Sequence, residues 1–330
     1  MTANALSSEK KPEGPPAFGS LVRGSGHSGT RRARRSYSAR QARRRSLILM
    51  APAAVFLAMF CLYPLEELVR MSVSKVHSAE LLDSTWKSAG FANYTETIRA
   101  NGFTTIVTNT IVLMLVVVLI TVFGGVASAF ILQRRTKTNQ AVQGLMVFLW
   151  ALPPLVTASV WKFLLSGDGL FPALVQRVGF TKTPPTPLVD PNFALLAVAV
   201  VIAWVGVTFA SLIMRASLLG VDRSQLEAAD VDGVSRWQSI RFIILPALRP
   251  AILVQALLAV IYAFRVFDYP FIMTSGGPGT ASTTLPYLAY KQSFGALEFG
   301  EGAATAVMSV IVVILLAVVY VFLIREEDAE

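Results

Sequence analysis

The 330-residue chain holds a single cysteine, Cys61, and two histidines, His27 and His77. One cysteine excludes an intrachain disulfide and a cysteine metal cluster, and its apolar setting marks Cys61 as a small helix- or lipid-facing residue. Two isolated histidines leave no imidazole cluster for metal or proton chemistry. Charge is scarce as well: 15% of residues are charged and 54% hydrophobic, with a mean hydropathy of +0.58. Soluble domains carry about 25% charged residues, so the chain is read as an integral membrane protein. No Gly-x-x-x-x-Gly-Lys-Ser/Thr sequence occurs, which excludes a P-loop for ATP. Gly24-Ser25-Gly26-His27-Ser28-Gly29 matches a dinucleotide pattern by letters, but without a strand before it or a helix after it the match carries nothing. Gly276-Gly277-Pro278-Gly279 lacks a lysine and reads as an outer turn. No nucleophile with its base can be assembled, so no catalytic residue and no metal site is expected.

What is present is a set of long apolar runs. They cover 47–69, 103–132, 144–165, 193–214, 245–273 and 303–324, and each has roughly the 20 residues that cross a bilayer as a helix. The expected fold class is all-α, a polytopic membrane protein of six transmembrane helices. Prolines 52, 64, 153, 154, 246 and 250 are expected near span ends, where a missing amide costs least. Residues 1–46 form a basic tail rich in Ser, Gly, Pro and Arg with no hydrophobic period, expected to be disordered. The domain division is the tail, a six-helix transmembrane domain over 47–325 and a short C-terminal tail over 326–330. A net charge of +9 is of the sign that nucleic-acid binding asks for, yet 11 of the 29 Lys and Arg precede the first span. That position, including the blocks at Arg31 to Arg35 and Arg43 to Arg45, favours topogenic anchoring at membrane lipid over nucleic-acid binding. With both termini inside, 20 basic residues fall on the cytoplasmic side and 8 outside, as the positive-inside tendency asks. Arg265 remains within the membrane. The first run resembles a signal peptide, but no cleavage site follows it and it is read as retained. The outer segments at 70–99, 166–192 and 274–302 are too short for separate domains. Thr181 to Pro187 reads as an extended strap, and Asn93-Tyr94-Thr95 is a glycosylation triplet by letters only.

One loop stands apart. Between the fourth and fifth runs lies Glu227-Ala228-Ala229-Asp230-Val231-Asp232-Gly233, followed after nine residues by Ile243-Ile244-Leu245-Pro246. Ser224 three residues before Glu227 has the spacing of a capping box and is expected to start a short helix. Gly233 supplies the backbone freedom to stop it, and Ser235 with Gln238 repeats the capping spacing to start a second helix. Helix, sharp turn, helix is the expectation for 222–243.

Glu-Ala-Ala, three residues, Gly, nine residues, Ile-x-Leu-Pro resembles the signature loop of permease subunits of binding-protein-dependent ABC importers. Phe264-Arg265-Val266-Phe267-Asp268 ahead of Thr274-Ser275-Gly276-Gly277-Pro278 is similar to the fifth-span end of the carbohydrate-type permeases, the maltose and glycerol-phosphate class. Thr284, Leu285, Tyr287, Tyr290, Phe294, Gly302, Ala303 and Ala306 continue it, as do Asn109-Thr110 and Trp204-Val205-Gly206. The resemblance covers about 47–325. Ser275 stands where a third glycine is usual and Ile244 where a Thr is usual, and no large outer insertion is present.

The resemblance implies a type I ABC importer permease fold with a cytoplasmic coupling helix, in a bacterial plasma membrane. It implies a second homologous permease subunit, an ATP-binding cassette ATPase dimer that holds the ATP and magnesium, and an extracytoplasmic solute-binding protein as partners, with no cofactor on this chain. Ser224, Leu226, Glu227, Ala228, Ala229, Asp230, Gly233 and Pro246 are then the residues of ATPase coupling. The solute is expected to be a sugar, a di- or oligosaccharide or polyol, moving past Trp204, Val205, Gly206, Phe209, Phe264, Arg265, Phe267 and Asp268. Arg265 and Asp268, one helical turn apart, are expected to neutralise each other, which favours a neutral sugar over a glycerol-phosphate-type solute. An ion-coupled secondary transporter is the competing reading, weakened because the only deep charges, Arg265 and Asp268, can neutralise each other and leave no proton relay.

Overall fold

The computed structural model describes residues 49–81, 85–134, 136–179 and 185–327. The tail at 1–46 with its arginine blocks and glycine-rich stretch, most of the strap at 181–187 and the end of the C-terminal tail lie outside the described residues. The chain forms two compact units, Met1–Tyr63 and Pro64–Glu330. The described part of the first is the beginning of helix α1, Leu49–Ser72, where Phe56 and Phe60 lie against one another one turn apart with ring centroids 4.7 Å apart.

In the second unit α1 ends in a two-stranded antiparallel hairpin, β1 Ser74–Lys75 and β2 Lys87–Ser88, followed by α2, Ala92–Arg99. Asn93 is buried and its Nδ2 donates to the carbonyls of Ser72 and Ser74, each at 2.9 Å. The triplet asparagine is therefore a structural tie and not an acceptor for a glycan.

Three long helices make the core: α3, Phe103–Ile131; α7, Ala194–Leu219; and α9, Arg236–Arg265. Among the described residues, five helices are long and apolar enough to cross a membrane, these three with α1 and the final helix α12, Phe299–Glu327. A bent helix pair, Lys137–Trp150 with Pro154–Arg177, passes the same length and composition test only when its two parts are taken together. In lipid, burial gives no extra drive for helices to associate, so small residues that let backbones approach carry the packing. α3 and α7 use that device: a side-chain carbon added to Gly125 would sit 2.4 Å from Ala210 Cβ, and one added to Gly124 would sit 2.7 Å from Val207. Leu113, Val117, Val198 and Ile202 fill the seam and are fully buried, whereas Leu115, Leu119 and Phe123 on the outer face of α3 are exposed, as a hydrocarbon solvent allows.

Two expected spans depart from straight helices. The run at 144–165 is split into α4, Lys137–Trp150, and α5, Pro154–Leu165, which continues towards α6, Leu170–Arg177. The Pro154–Arg177 stretch lies at 104° to α4. Pro153 and Pro154 therefore break the run internally instead of marking its end. Pro153 is extended (ψ 141°), as a residue before proline prefers, and neither proline can donate to the preceding turn. In the fifth run the helix begins upstream, at Arg236, so the second helix of the 222–243 loop and the span are one rod. A wide turn at Ile240–Ile244 precedes Pro246, whose ring would collide with the carbonyl four residues back in a regular helix. The rod stops at Arg265. Val266 is extended (ψ 118°), and a new helix α10, Asp268–Thr274, begins.

The segment after α10 is built by side-chain ties. Ser275 adopts the left-handed conformation (φ 52°, ψ 33°), which accounts for glycine being usual there. Asn109 Nδ2 on α3 donates to the carbonyls of Thr280 and Thr283 at 2.8 and 3.2 Å, and Thr110 Oγ1 accepts from the amide of Leu285 at 2.9 Å. Leu285 opens α11, Leu285–Tyr290, which runs into a wide turn at Lys291–Gly295. A side-chain carbon on Gly302 would sit 2.0 Å from Ser293 Oγ. Much of what carried the family resemblance on this side is thus packing.

Candidate functional site

Two places combine exposure with organised geometry: a cavity between the core helices and the elbow between α7 and α9.

The cavity measures about 370 Å³. α3 lends it Val117 and Thr121, the end of α4 lends Trp150, and α7 lends Val205, Gly206 and Phe209. α9 lines the rest with Gln255, Leu258, Ala259, Ile261, Tyr262 and Arg265. Most of the wall is apolar, and its polar groups are few. Trp150 and Phe209 stack face to face, with centroids 5.6 Å apart and planes 12° apart. Thr121 Oγ1 and Gln255 Oε1 are buried, each residue 2% exposed, and neither atom has a hydrogen-bonding partner. Leaving such an atom unpaired costs about 1–3 kcal/mol, which a ligand group can recover. Gly206 has a double role: an added carbon would sit 2.8 Å from Thr121 Oγ1, so its missing side chain lets α3 and α7 close and keeps that hydroxyl at the cavity wall.

Of the pathway residues expected from the sequence, Val205, Gly206, Phe209 and Arg265 line this cavity. The other four do not. Trp204 packs edge-on against Trp161 at 5.3 Å, and Phe264 is buried in the helix core. Phe267 stacks on Tyr290 at 4.9 Å. Asp268 starts α10 beyond the helix break, so the expected pairing with Arg265 fails: no ion pair joins them. The sequence reading missed Thr121, Trp150, Gln255 and Tyr262. A polar glutamine inside an apolar run was the one available signal.

The elbow is set by capping chemistry. Its first helix is α8, Arg223–Val231, and its N-cap is Asp222, whose Oδ1 accepts from the Ser224 amide at 2.9 Å. That bond, with the Ser224 side chain adding to it, holds the Asp222 carboxyl below the ordinary carboxylate range. The expected Ser224–Glu227 capping box is not formed; Ser224 is already inside the helix because the charged Asp222 two residues earlier takes its free amide. Glu227 and Asp230 are exposed. The stop matches expectation. Gly233 has φ +73°, its amide donates to the Asp230 carbonyl at 3.2 Å, and the Val234 amide reaches back to Ala229 at 2.9 Å. The second capping box is present as well, Ser235 with Gln238.

Between α8 and the start of α9 runs an open groove lined by Gln225, Ala228, Ala229, Asp232, Val234, Gln238, Phe242 and Ile243. Ala229 is buried, Leu226 half-buried and Ala228 open. Val231, Trp237 and Phe242 stand out at 87%, 72% and 71% exposure. Large apolar side chains so exposed beside the elbow groove, at the end of α8 and the start of the α9 rod, mark an interaction surface. The sequence reading did not single out Trp237 or Phe242.

Residues 120–325 match the family described as binding-protein-dependent transport system inner membrane component. The chain belongs to that family. The sulfoquinovosyl glycerol transport system permease protein SmoG of Agrobacterium fabrum is 30% identical over 284 residues, 86% of this chain and 91% of that protein. The diacetylchitobiose uptake system permease protein DasB of Streptomyces coelicolor is 26% identical over 321 residues, 96% and 98% of the two chains. A solved bacterial ABC transporter involved in importing the acidic polysaccharide alginate superposes with a TM-score of 0.72 at 18% identity, covering 88% of this chain and 99% of that one. The fold is that of an ABC importer permease, multi-pass and helical, with five candidate membrane helices and a sixth if the bent α4–α5 pair counts as one span.

Proposed function

We propose that this inner membrane component is the sugar-conducting permease subunit of an ATP-driven importer. A saccharide released by an extracytoplasmic binding protein enters the cavity between α3, α7 and α9, and alternating access delivers it to the cytoplasm. The cavity carries this reading. Sugars offer flat C–H faces edged by hydroxyls, and a stacked aromatic plate beside unpaired polar atoms in an otherwise apolar wall complements both. Relatives such as the permeases for sulfoquinovosyl glycerol and diacetylchitobiose support the class.

Hydrolysis of ATP belongs to a separate ATPase dimer, with its ATP and magnesium, docking on the α8 elbow. Glu227 and Asp230 are free of capping duty and available to a partner, while Val231, Trp237 and Phe242 offer apolar anchors. Because the capping box at Ser235 starts the same rod that ends at Arg265, tilting the elbow moves one wall of the cavity directly. A second homologous permease completes the pathway, and the elbow and both termini face the cytoplasm.

The test is uptake by the reconstituted complex of two permeases, ATPase dimer and binding protein, with labelled disaccharides, polyols, amino acids and metal ions. Saccharide uptake lost in Gly206→Trp is the expected result. Robust uptake of amino acids or metal ions with no saccharide carried would overturn the reading. Cysteines placed at Ser235 and Ser275 check the orientation, with labelling expected from the cytoplasm at 235 and from outside at 275.

A further inference from the structure

Arg265 is the one charged side chain among the residues that line the cavity. Its expected counter-charge is absent: the helix ends at Arg265, Val266 is extended, and Asp268 opens a separate helix without forming an ion pair. Among the described residues no carboxylate lies within ion-pairing distance of it. Arg265 is exposed, and a guanidinium left without a protein counter-charge on a cavity wall has its planar fork free for an anionic ligand group. Tyr262 lies one turn before Arg265 on the same helix, and the two unpaired polar atoms are farther along the cavity. Gln255 lies ten residues before Arg265 on the same rod, about 15 Å along the helix axis, with Thr121 contributing from α3.

From this spacing we infer that the solute is a saccharide bearing one acidic group, its acid held by Arg265 and its hydroxyls by Gln255 and Thr121. The inference rests on the sugar-permease reading above and adds the charge. Arginine's planar fork matches a carboxylate, sulfonate or phosphate through two parallel hydrogen bonds. The unpaired Gln255 Oε1 accepts from a sugar hydroxyl, and Thr121 Oγ1 can donate to one or accept from one. The stacked Trp150 and Phe209 cover an apolar ring face. A solute must be long enough to touch both ends, which a disaccharide is and a three-carbon polyol phosphate is not.

The reconstituted complex distinguishes these. The probes are a labelled aldobiouronic acid, the same disaccharide with its carboxylate reduced to the alcohol, a sulfonated glycoside and glycerol phosphate. In the parent complex the two acidic saccharides should be carried in preference to the neutral disaccharide and to glycerol phosphate. Arg265→Gln should raise the half-saturation concentration for the acidic probes by about tenfold or more and for the neutral disaccharide by several-fold less than that. Arg265→Lys keeps the charge but loses the fork, so it should fall between, and it decides the matter if the Gln variant does not assemble. Gln255→Leu and Thr121→Val should impair acidic and neutral saccharides alike. Preferential carriage of the neutral disaccharide or of glycerol phosphate, or an equal loss for acid and neutral probes in the Arg265 variants, overturns the inference and leaves the sugar reading standing. Carriage of no saccharide at all overturns both.

Discussion

Gly233 isolates backbone strain from side-chain contact. Its φ of +73° lies in the left-handed region, and a carbon added there would meet nothing within 4 Å. A substitution therefore has no clash to absorb, and its cost is the conformation alone. That cost is about 1–2 kcal/mol for alanine and about 3 kcal/mol at the upper end for a β-branched valine. Asparagine visits the left-handed region more readily and should cost less than alanine. Since about 1.4 kcal/mol is tenfold in an equilibrium, the closed turn should open on the order of tenfold more often in Gly233→Ala, and more in Gly233→Val. If α8 and the α9 rod transmit ATPase motion as one body, coupling should fall in the order Gly, Asn, Ala, Val. The assay is substrate-stimulated ATPase and transport in the reconstituted complex, at matched amounts of assembled protein. Normal coupling in Gly233→Val, or an Asn variant as impaired as the Val variant, would refute the reasoning.

Three further expectations follow from the same geometry. Asp222 caps α8 in its charged form and its pKa is depressed on folding. Its contribution is therefore present above the ordinary carboxylate pKa of about 4 and is lost as the pH falls through the lower folded value. Asp222→Asn should keep the cap and remove that acid sensitivity, which amide hydrogen exchange at Ser224 against pH would register. Ser275→Gly should relieve a left-handed serine (φ 52°) and raise stability by about 1 kcal/mol, read as a higher melting temperature of the detergent-solubilised protein. Gly125→Val drives a side chain into Ala210 across the α3–α7 seam and should cost several-fold in folded protein, whereas Gly144→Val meets open space and should be tolerated. Comparable yields of the two variants would contradict the close approach of these helices.

By itself the sequence determined the spans, the class and the elbow. Apolar length and the asymmetry of basic residues are properties along the chain, so they survive without coordinates. Gly233 and the Ser235–Gln238 box were legible because capping and turn formation are local, satisfied within a few residues. Even there the start of α8 was misplaced, because Ser224 and Asp222 are both competent caps and only the backbone path selects Asp222. The cavity was a different matter. On helices solvated by hydrocarbon every face can be apolar, so no amphipathic stripe tells which side of α3, α7 or α9 looks inward. The rotation of each helix, set by Gly124, Gly125 and Gly206 against their partners, decided that Thr121 and Gln255 line the cavity and that Trp204 packs on Trp161 instead. The helix breaks were decided there too. Proline at 153 and 154 permits a bend but does not fix its 104°, and nothing in the letters at Val266 announces an end to the rod. That break separates Arg265 from Asp268, two residues that a continuous helix would have paired, and leaves the arginine facing the cavity alone.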